Sequence, residues 1–196
     1  MNKQDVIAFF DRRAADWDAT VERDDKKIAA ILHFAGIEKG VSVLDVACGT
    51  GVLIPDYLAR GVKKITAVDI SPGMIAAAKA KCDDPRVEFI HGDIETAEFP
   101  ERFDACVVYN AFPHFPDPAA LIKALAGKLN ANGRLTVAHG ASREIINDGH
   151  SGAASQVSTG LISAEDTAAL FEKYFDVDTV VSDENIYAVS GVLRKK

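Results

Sequence analysis

Long apolar runs are missing from this sequence: no stretch approaches the roughly 20 apolar residues a membrane-spanning helix needs. Cysteine is scarce. Cys48, Cys82 and Cys106 stand far apart, with no CxxC pair and no Cys/His zinc spacing. An odd number of scattered thiols fits a reduced compartment and gives no disulfide framework. Basic clusters are also lacking. Lys and Arg total 22 against 29 Asp and Glu, for a net charge of −7, and the only basic run is the terminal "LRKK". A protein that tracks a phosphate backbone shows a concentrated Lys/Arg footprint, so this distribution argues against a nucleic-acid substrate. No repeat, low-complexity segment or Pro/Gly/Ser linker divides the chain. The opening "MNKQDVIAFFDRRAADWD" is charged throughout where a secretory signal would be apolar. The expectation is a cytoplasmic protein that binds neither membrane nor nucleic acid. Its oligomeric state is not written in the sequence.

What is present is the composition of an ordinary globular protein, 48% hydrophobic and 26% charged over 196 residues, enough for one sizeable core. From Ser42 onward short apolar runs alternate with helical stretches. "SVLDVA" (42–47), "KITAVDI" (64–70), "RVEFI" (86–90), "FDACVVYN" (103–110) and "GRLTVAH" (133–139) read as strands. Between them, 51–61, 71–82 and 117–129 read as helices. Ser71 and Asp117 are N-cap residues, each followed by proline at the first helical position. This alternation predicts an α/β fold with a doubly wound parallel sheet and helices on both faces. The C-terminus departs from it. A helix over 163–175 opens with a capping box of Ser163 and Asp166. Two strands joined by "SDEN" then form an antiparallel hairpin. Residues 3–36 read as one or two amphipathic helices.

The chemistry centres on "VLDVACGTG" (43–51), a strand running into a glycine turn. Glycine allows positive φ and lets a ligand approach without a Cβ in the way. Asp69 closes the second strand eighteen residues after Gly51, where a carboxylate can accept both hydroxyls of a ribose. The plainer alternative is a tight turn, with Asp69 a cap beside Ser71. A dinucleotide fold needs a small residue three positions after the second glycine. Here that position is Ile54, followed by Pro55. Asp45 precedes the turn, and a carboxylate there suits an amine-bearing or cationic ligand better than a pyrophosphate. The ligand this predicts is a ribonucleoside with an amino-acid or sulfonium end.

With these residues in place, the sequence resembles the class I S-adenosylmethionine (SAM)-dependent methyltransferases over nearly its whole length. "VLDVACGTG", "VDISPGMIAAAK", "FIHGDIE" and "FDACVVYNAFPHFPDP" match four ordered motifs of that family. "FFDRRAADWD" resembles the lid helix of its small-molecule branch, the ubiquinone/menaquinone-type methyltransferases, with Trp17 in place of the usual tyrosine. The resemblance implies a Rossmann-like seven-stranded sheet, mostly parallel with a reversed last strand. It also implies one domain: a helical lid (1–36), a SAM-binding core (37–140), a substrate loop (141–162), and a terminal helix and hairpin (163–196). It places Asp45, Ala47, Gly49 and Gly51 at the methionine end of SAM, with Asp45 near its amine and Ala47 where many members have glycine. Asp69 would bind the ribose hydroxyls, with Ile70 next to it also at the cofactor; Met74 and Ile94 would flank the adenine, and Asp93 would accept from its amine. Tyr109 or Asn110 would sit near the methionine end, and Trp17 on the lid would also reach the cofactor. Phe9, Phe10 and Trp17 can equally be a core face, since Phe10 and Trp17 are seven apart on a helix.

The acceptor side falls on the loops beyond the strands' carboxyl ends. "YNAFPHF" brings His114, and the long polar "AHGASREIINDGHS" brings His139, Arg143 and His150. A neutral imidazole can serve as general base for a hydroxyl or thiol, three imidazoles could hold a metal, and each could be a surface histidine. Arg143 could pair with an acceptor carboxylate or phosphate, or be a solvated loop residue. The expected catalytic residues are His114, His139 and Arg143. The expected function is methyl transfer from S-adenosylmethionine to a small-molecule acceptor. A non-catalytic SAM-binding accessory protein, a methyltransferase of RNA or protein, and more distantly an NAD oxidoreductase are the alternatives.

Overall fold

Strands buried on both faces read as continuous apolar runs, and three runs here do so. They form β1 (Ser42–Val46), β2 (Lys64–Asp69) and β4 (Phe103–Tyr109), the central strands of a seven-stranded sheet. The computed structural model describes residues 1–20, 22–149 and 152–195. The strand order is β3-β2-β1-β4-β5-β7-β6, with β3 (Val87–His91), β5 (Leu129–His139), β6 (Phe175–Ser182) and β7 (Tyr187–Leu193) completing it. Pairs from β3 through β5 are parallel, whereas β7 runs antiparallel to both β5 and β6. The reversed strand is therefore last in the sequence but lies inside the sheet, between β5 and the edge strand β6. Strand order changes direction at β1, so a crevice opens between the carboxyl ends of β1 and β4, where α/β sheets bind ligands.

Helices cover both faces. On one, α3 (Asp25–Phe34), α4 (Ile54–Ala59) and α5 (Pro72–Lys81) bury Ile28, Leu32, Tyr57 and Ile75 against Val43 and Ile65. On the other, α6 (Pro118–Ala126) and α8 (Ala164–Phe171) bury Leu121, Leu125 and Phe171 against Val108, Leu135 and Val189. The expected caps form: the Ser71 hydroxyl accepts from Met74 N at 3.1 Å, and Asp117 accepts from Ala120 N at 2.9 Å. Ser163 accepts from Asp166 N at 3.0 Å and donates to the Asp166 carboxylate at 2.7 Å.

Three boundaries differ from the sequence reading for physical reasons. α4 begins at Ile54 rather than Gly51, because positive φ at Gly49 and Gly51 keeps the turn outside the helix. β5 extends back to Leu129, ahead of the turn at Asn132 (φ 61). The N-terminal stretch breaks into α1 (Lys3–Asp11) and a four-residue α2 (Trp17–Thr20), which bends the chain back over the sheet's carboxyl edge. Among the described residues no helix is long and apolar enough to cross a membrane.

The β6–β7 hairpin carries a bulge at Asp178, between the pairs Val177–Gly191 and Thr179–Ser190, and Asp178 turns out to meet Arg134 bidentately at 2.7 Å. Opposite the bulge, a Cβ on Gly191 would lie 2.9 Å from Asp176 O, 3.1 Å from Phe175 Cβ and 3.2 Å from Val177 Cα. Two of these three are backbone atoms with no room to retreat. Gly191→Ala is expected to lower stability by about 1–3 kcal/mol in thermal or denaturant unfolding. An unchanged midpoint would show that the hairpin is looser than its geometry.

Candidate active site

The turn after β1 stands in a strained conformation held from below. Ala47 (φ 52), Gly49 (φ 55) and Gly51 (φ 82) all lie in the left-handed region, which costs a non-glycine residue roughly 1–2 kcal/mol. The Asp69 carboxylate supports this geometry. Its Oδ2 accepts from Gly49 N and its Oδ1 from Ser71 N, both at 2.8 Å, which ties the glycine turn to the start of α5. Burial raises the Asp69 pKa, against the lowering by the Ser71 and Gly49 N–H groups.

Above the turn lies a cavity of about 670 Å³ at the carboxyl ends of the parallel strands. The glycine turn from Ala47 to Gly51 forms one wall, and Asp69, Ile70 and Met74 follow from β2 and α5. Beyond β3 come Asp93 and Ile94, and beyond β4 come Tyr109, Asn110 and His114. Trp17 and Phe10 close the top from the N-terminal segment. Eleven of the twelve residues expected to contact cofactor thus share one cavity, together with His114.

Asp45, the twelfth, is not among the lining residues. It lies beneath the turn, 3% exposed, and burial pushes its carboxyl up to about 7. Tyr57 opposes this rise, and its buried hydroxyl stands against the carboxylate without ordinary hydrogen-bond geometry. The neighbouring charge of Asp69 adds to the rise.

The two loop residues expected on the acceptor side are placed elsewhere. His139 ends β5 in the core, 1% exposed, with its ring edge-on to Tyr187 at 5.8 Å. The reason is register: His139 pairs with Tyr187 across the β5–β7 ladder, which turns its ring towards the hairpin. Arg143 starts α7 (Arg143–Gly149) and donates from Nε to Leu161 O at 2.9 Å, so it pins its own loop. Neither lines the cavity. His150 lies outside the described residues. Among the described residues no group of three His, Cys, Asp or Glu side chains is arranged to hold a metal ion.

His114, unlike His139 and Arg143, lines the cavity. It closes a 3-10 turn, Phe112–His114, after β4. Its Nδ1 lies 2.7 Å from Val157 O, and since a carbonyl only accepts, Nδ1 carries the proton. In the neutral ring Nε2 is then the basic nitrogen. The ring stands edge-on to Phe10 at 5.0 Å, and Phe10 packs on Trp17 at 5.5 Å. The segment after α7 therefore reaches the site through Val157, as a buttress for His114.

Sequence reasoning overlooked the polar rim. Lys3 reaches Asp93 at 2.5 Å and Glu95 at 2.6 Å, and Arg23 donates from Nη2 to both Asp56 carboxylate oxygens and from Nη1 to Val52 O. Thr50, inside the glycine motif, donates to Asp18. Only the charged character of the N-terminal helices hinted at these contacts, and their partners are remote in sequence.

The cavity fits a nucleoside with an amino-acid tail. A Cβ on Gly49 would meet no atom within 4 Å, which leaves the cavity wall open to a ligand's close approach. Acidic groups at Asp69 and Asp93 stand at separate points along the cavity, with the apolar Met74 and Ile94 beside them.

The buried Asp45 has a stability consequence. Its folded pKa lies above its unfolded value of 3.8, so ionisation costs stability as pH rises from there to about 7, and the penalty is complete above pH 7. In the ligand-free protein Asp45→Asn is expected to raise stability by about 4 kcal/mol at pH 8, an advantage that shrinks towards zero near pH 4. Denaturant unfolding across that range checks it, and an advantage that grows on acidification would contradict the assignment.

Comparison with known proteins finds methyltransferases. Residues 43–133 match the family described as "Methyltransferase domain". The chain is 32% identical over 138 residues to a malonyl-[acyl-carrier protein] O-methyltransferase of Acetivibrio thermocellus, covering 69% of this chain and 49% of that protein. It is 36% identical over 103 residues to the mitochondrial ubiquinone biosynthesis O-methyltransferase of Schizosaccharomyces pombe, covering 50% and 37%. The chain thus spans about half or less of the length of these curated relatives. Among solved structures, the DhpI–SAH complex superposes with a TM-score of 0.75 at 22% identity, covering 96% of this chain and 95% of that one. Over residues 43–133 the chain is thus similar to the methyltransferase-domain family, and the seven-stranded fold built around them is shared with solved SAM-dependent methyltransferases.

Proposed function

We propose that this chain transfers a methyl group from S-adenosylmethionine to a small-molecule acceptor. The observation that carries the reading is the continuity of one cavity, from the acidic nucleoside-binding end at Asp69 and Asp93 to the aromatic end at His114, Phe10 and Trp17. After its two backbone bonds each Asp69 oxygen keeps a lone pair, enough to accept two ribose hydroxyls. Met74 and Ile94 flank the adenine, and Asp93 accepts from its amine while Lys3 neutralises its charge. Asp45, below the turn, favours an amine above it, which would hold its carboxylate ionised.

Bound there, S-adenosylmethionine supplies a methyl group on a sulfonium, already an excellent leaving group. The protein's part is to orient the acceptor and exclude water. Phe10, Trp17 and Tyr109 wall the acceptor end. His114, its tautomer set by Val157 O, takes the proton from a hydroxyl or thiol. Of the three expected catalytic residues, we assign acceptor chemistry to His114 alone, because His139 and Arg143 do not reach the cavity. The two relatives are both named O-methyltransferases, which supports an oxygen acceptor.

Incubation of the protein with methyl-labelled SAM and a cell metabolite extract is expected to give a labelled small product identifiable by mass. Asp69→Ala is expected to weaken S-adenosylhomocysteine (SAH) binding at least tenfold, since charge-assisted hydrogen bonds contribute about 1.5–3 kcal/mol each. Label appearing only in RNA or protein, or no transfer at all, would overturn the proposal.

A further inference from the structure

Two of the three aspartates in the N-terminal "FFDRRAADWD", Asp11 and Asp18, make contacts that the cofactor and acceptor assignments leave unused. Each reaches across to a different arm of the cradle. Asp11 Oδ1 accepts from the Ser71 hydroxyl at 2.5 Å and from Gly73 N at 3.0 Å, both at the start of α5. Asp18 Oδ1 accepts from the Thr50 hydroxyl within the glycine turn, and its Oδ2 from Lys81 Nζ at the far end of α5. Each aspartate directly follows one ring of an aromatic pair: Phe10 and Trp17 pack on each other, and Phe10 meets His114. The approach is close: a Cβ on Gly73 would lie 3.0 Å from Asp11 Oδ1 and 3.2 Å from Ala14 Cβ.

We propose that Asp11 and Asp18 are positioning residues, a two-point clasp that holds the Phe10–Trp17 roof shut over the cofactor. The inference rests on the SAM reading of the cavity. Thr50 and Ser71 are buried, 2% and 0% exposed, and their hydroxyls donate to the clasp. Opening the segment removes both acceptors at once, so the turn and α5 register whether the roof is closed. Ser71 also caps α5 by accepting from Met74 N, so one hydroxyl links the lid, the helix start and a residue lining the cavity. Asp18 and Lys81 are exposed, and exposed ion pairs contribute little. A clasp built this way releases readily, as a roof over an exchanging cofactor must.

Trp17 is the only tryptophan, so intrinsic fluorescence reports on the roof alone. In the full-length protein, Asp11→Ala with Asp18→Ala is expected to speed SAH dissociation about tenfold in stopped flow and to increase acrylamide quenching of Trp17. Asp11→Asn retains the accepting oxygen and is expected to release SAH at the wild-type rate, an outcome a purely electrostatic role would not give. Thr50→Val, which removes the donor from the cradle side, is expected to reproduce the Asp18→Ala effect and serves if the double variant fails to fold. Wild-type dissociation and quenching in both the double variant and Thr50→Val would overturn the clasp. Absence of SAH binding to the wild-type protein would instead overturn the cofactor reading, and the quenching comparison would still decide the clasp.

Discussion

The Asp69 carboxylate joins three parts of the molecule. It ends β2, accepts from Gly49 in the turn after β1, and accepts from Ser71 at the start of α5. Without it, the turn would have to hold Ala47, Gly49 and Gly51 at positive φ with no buried acceptor for Gly49 N. The cradle is thus fixed before any ligand arrives. The group that fixes it also lines the cavity, so in the proposed function one residue would serve both architecture and ribose recognition. This preorganisation has an electrostatic cost, since burial raises the pKa of both Asp45 and Asp69 and the Asp69 charge raises Asp45 further. A cationic ligand end above the turn would relieve that cost.

The remainder of the site is built on weaker terms. The core beneath is apolar and closely buried on both faces of the sheet, whereas the N-terminal segment is held at its rim largely by exposed ion pairs and hydrogen bonds. The contrast separates a rigid floor from a releasable roof. His114 belongs to neither. It rises from the β4 edge, is fixed from behind by Val157, and faces the roof through Phe10.

Much of this was legible in the sequence because it is local. Continuous apolar runs predict buried parallel strands, Ser71–Pro72 and Asp117–Pro118 predict helix starts, and the hairpin around "SDEN" predicts the reversed strand. The cradle was legible for the same reason: glycine spacing and strand-ending acids are short-range patterns. What sequence could not place depended on register and long-range pairing. His139 is one strand-end residue like Tyr109, yet pairing with Tyr187 turns it into the core. Arg143 has the character of an anion-binding side chain, but its loop folds back and uses it on Leu161. Lys3, Asp11 and Asp18 meet partners 90, 60 and 32 residues away, and no periodicity encodes such pairs.

The central claim is that the Asp69-braced turn is the floor of a SAM site. A crystal structure of the protein with SAH tests it most directly. The account predicts the ribose hydroxyls on Asp69, the adenine between Met74 and Ile94, and the amino-acid end over the Ala47–Gly51 turn, with Phe10 and Trp17 closed above. SAH bound elsewhere, or a ribose that leaves Asp69 uncontacted, would contradict it.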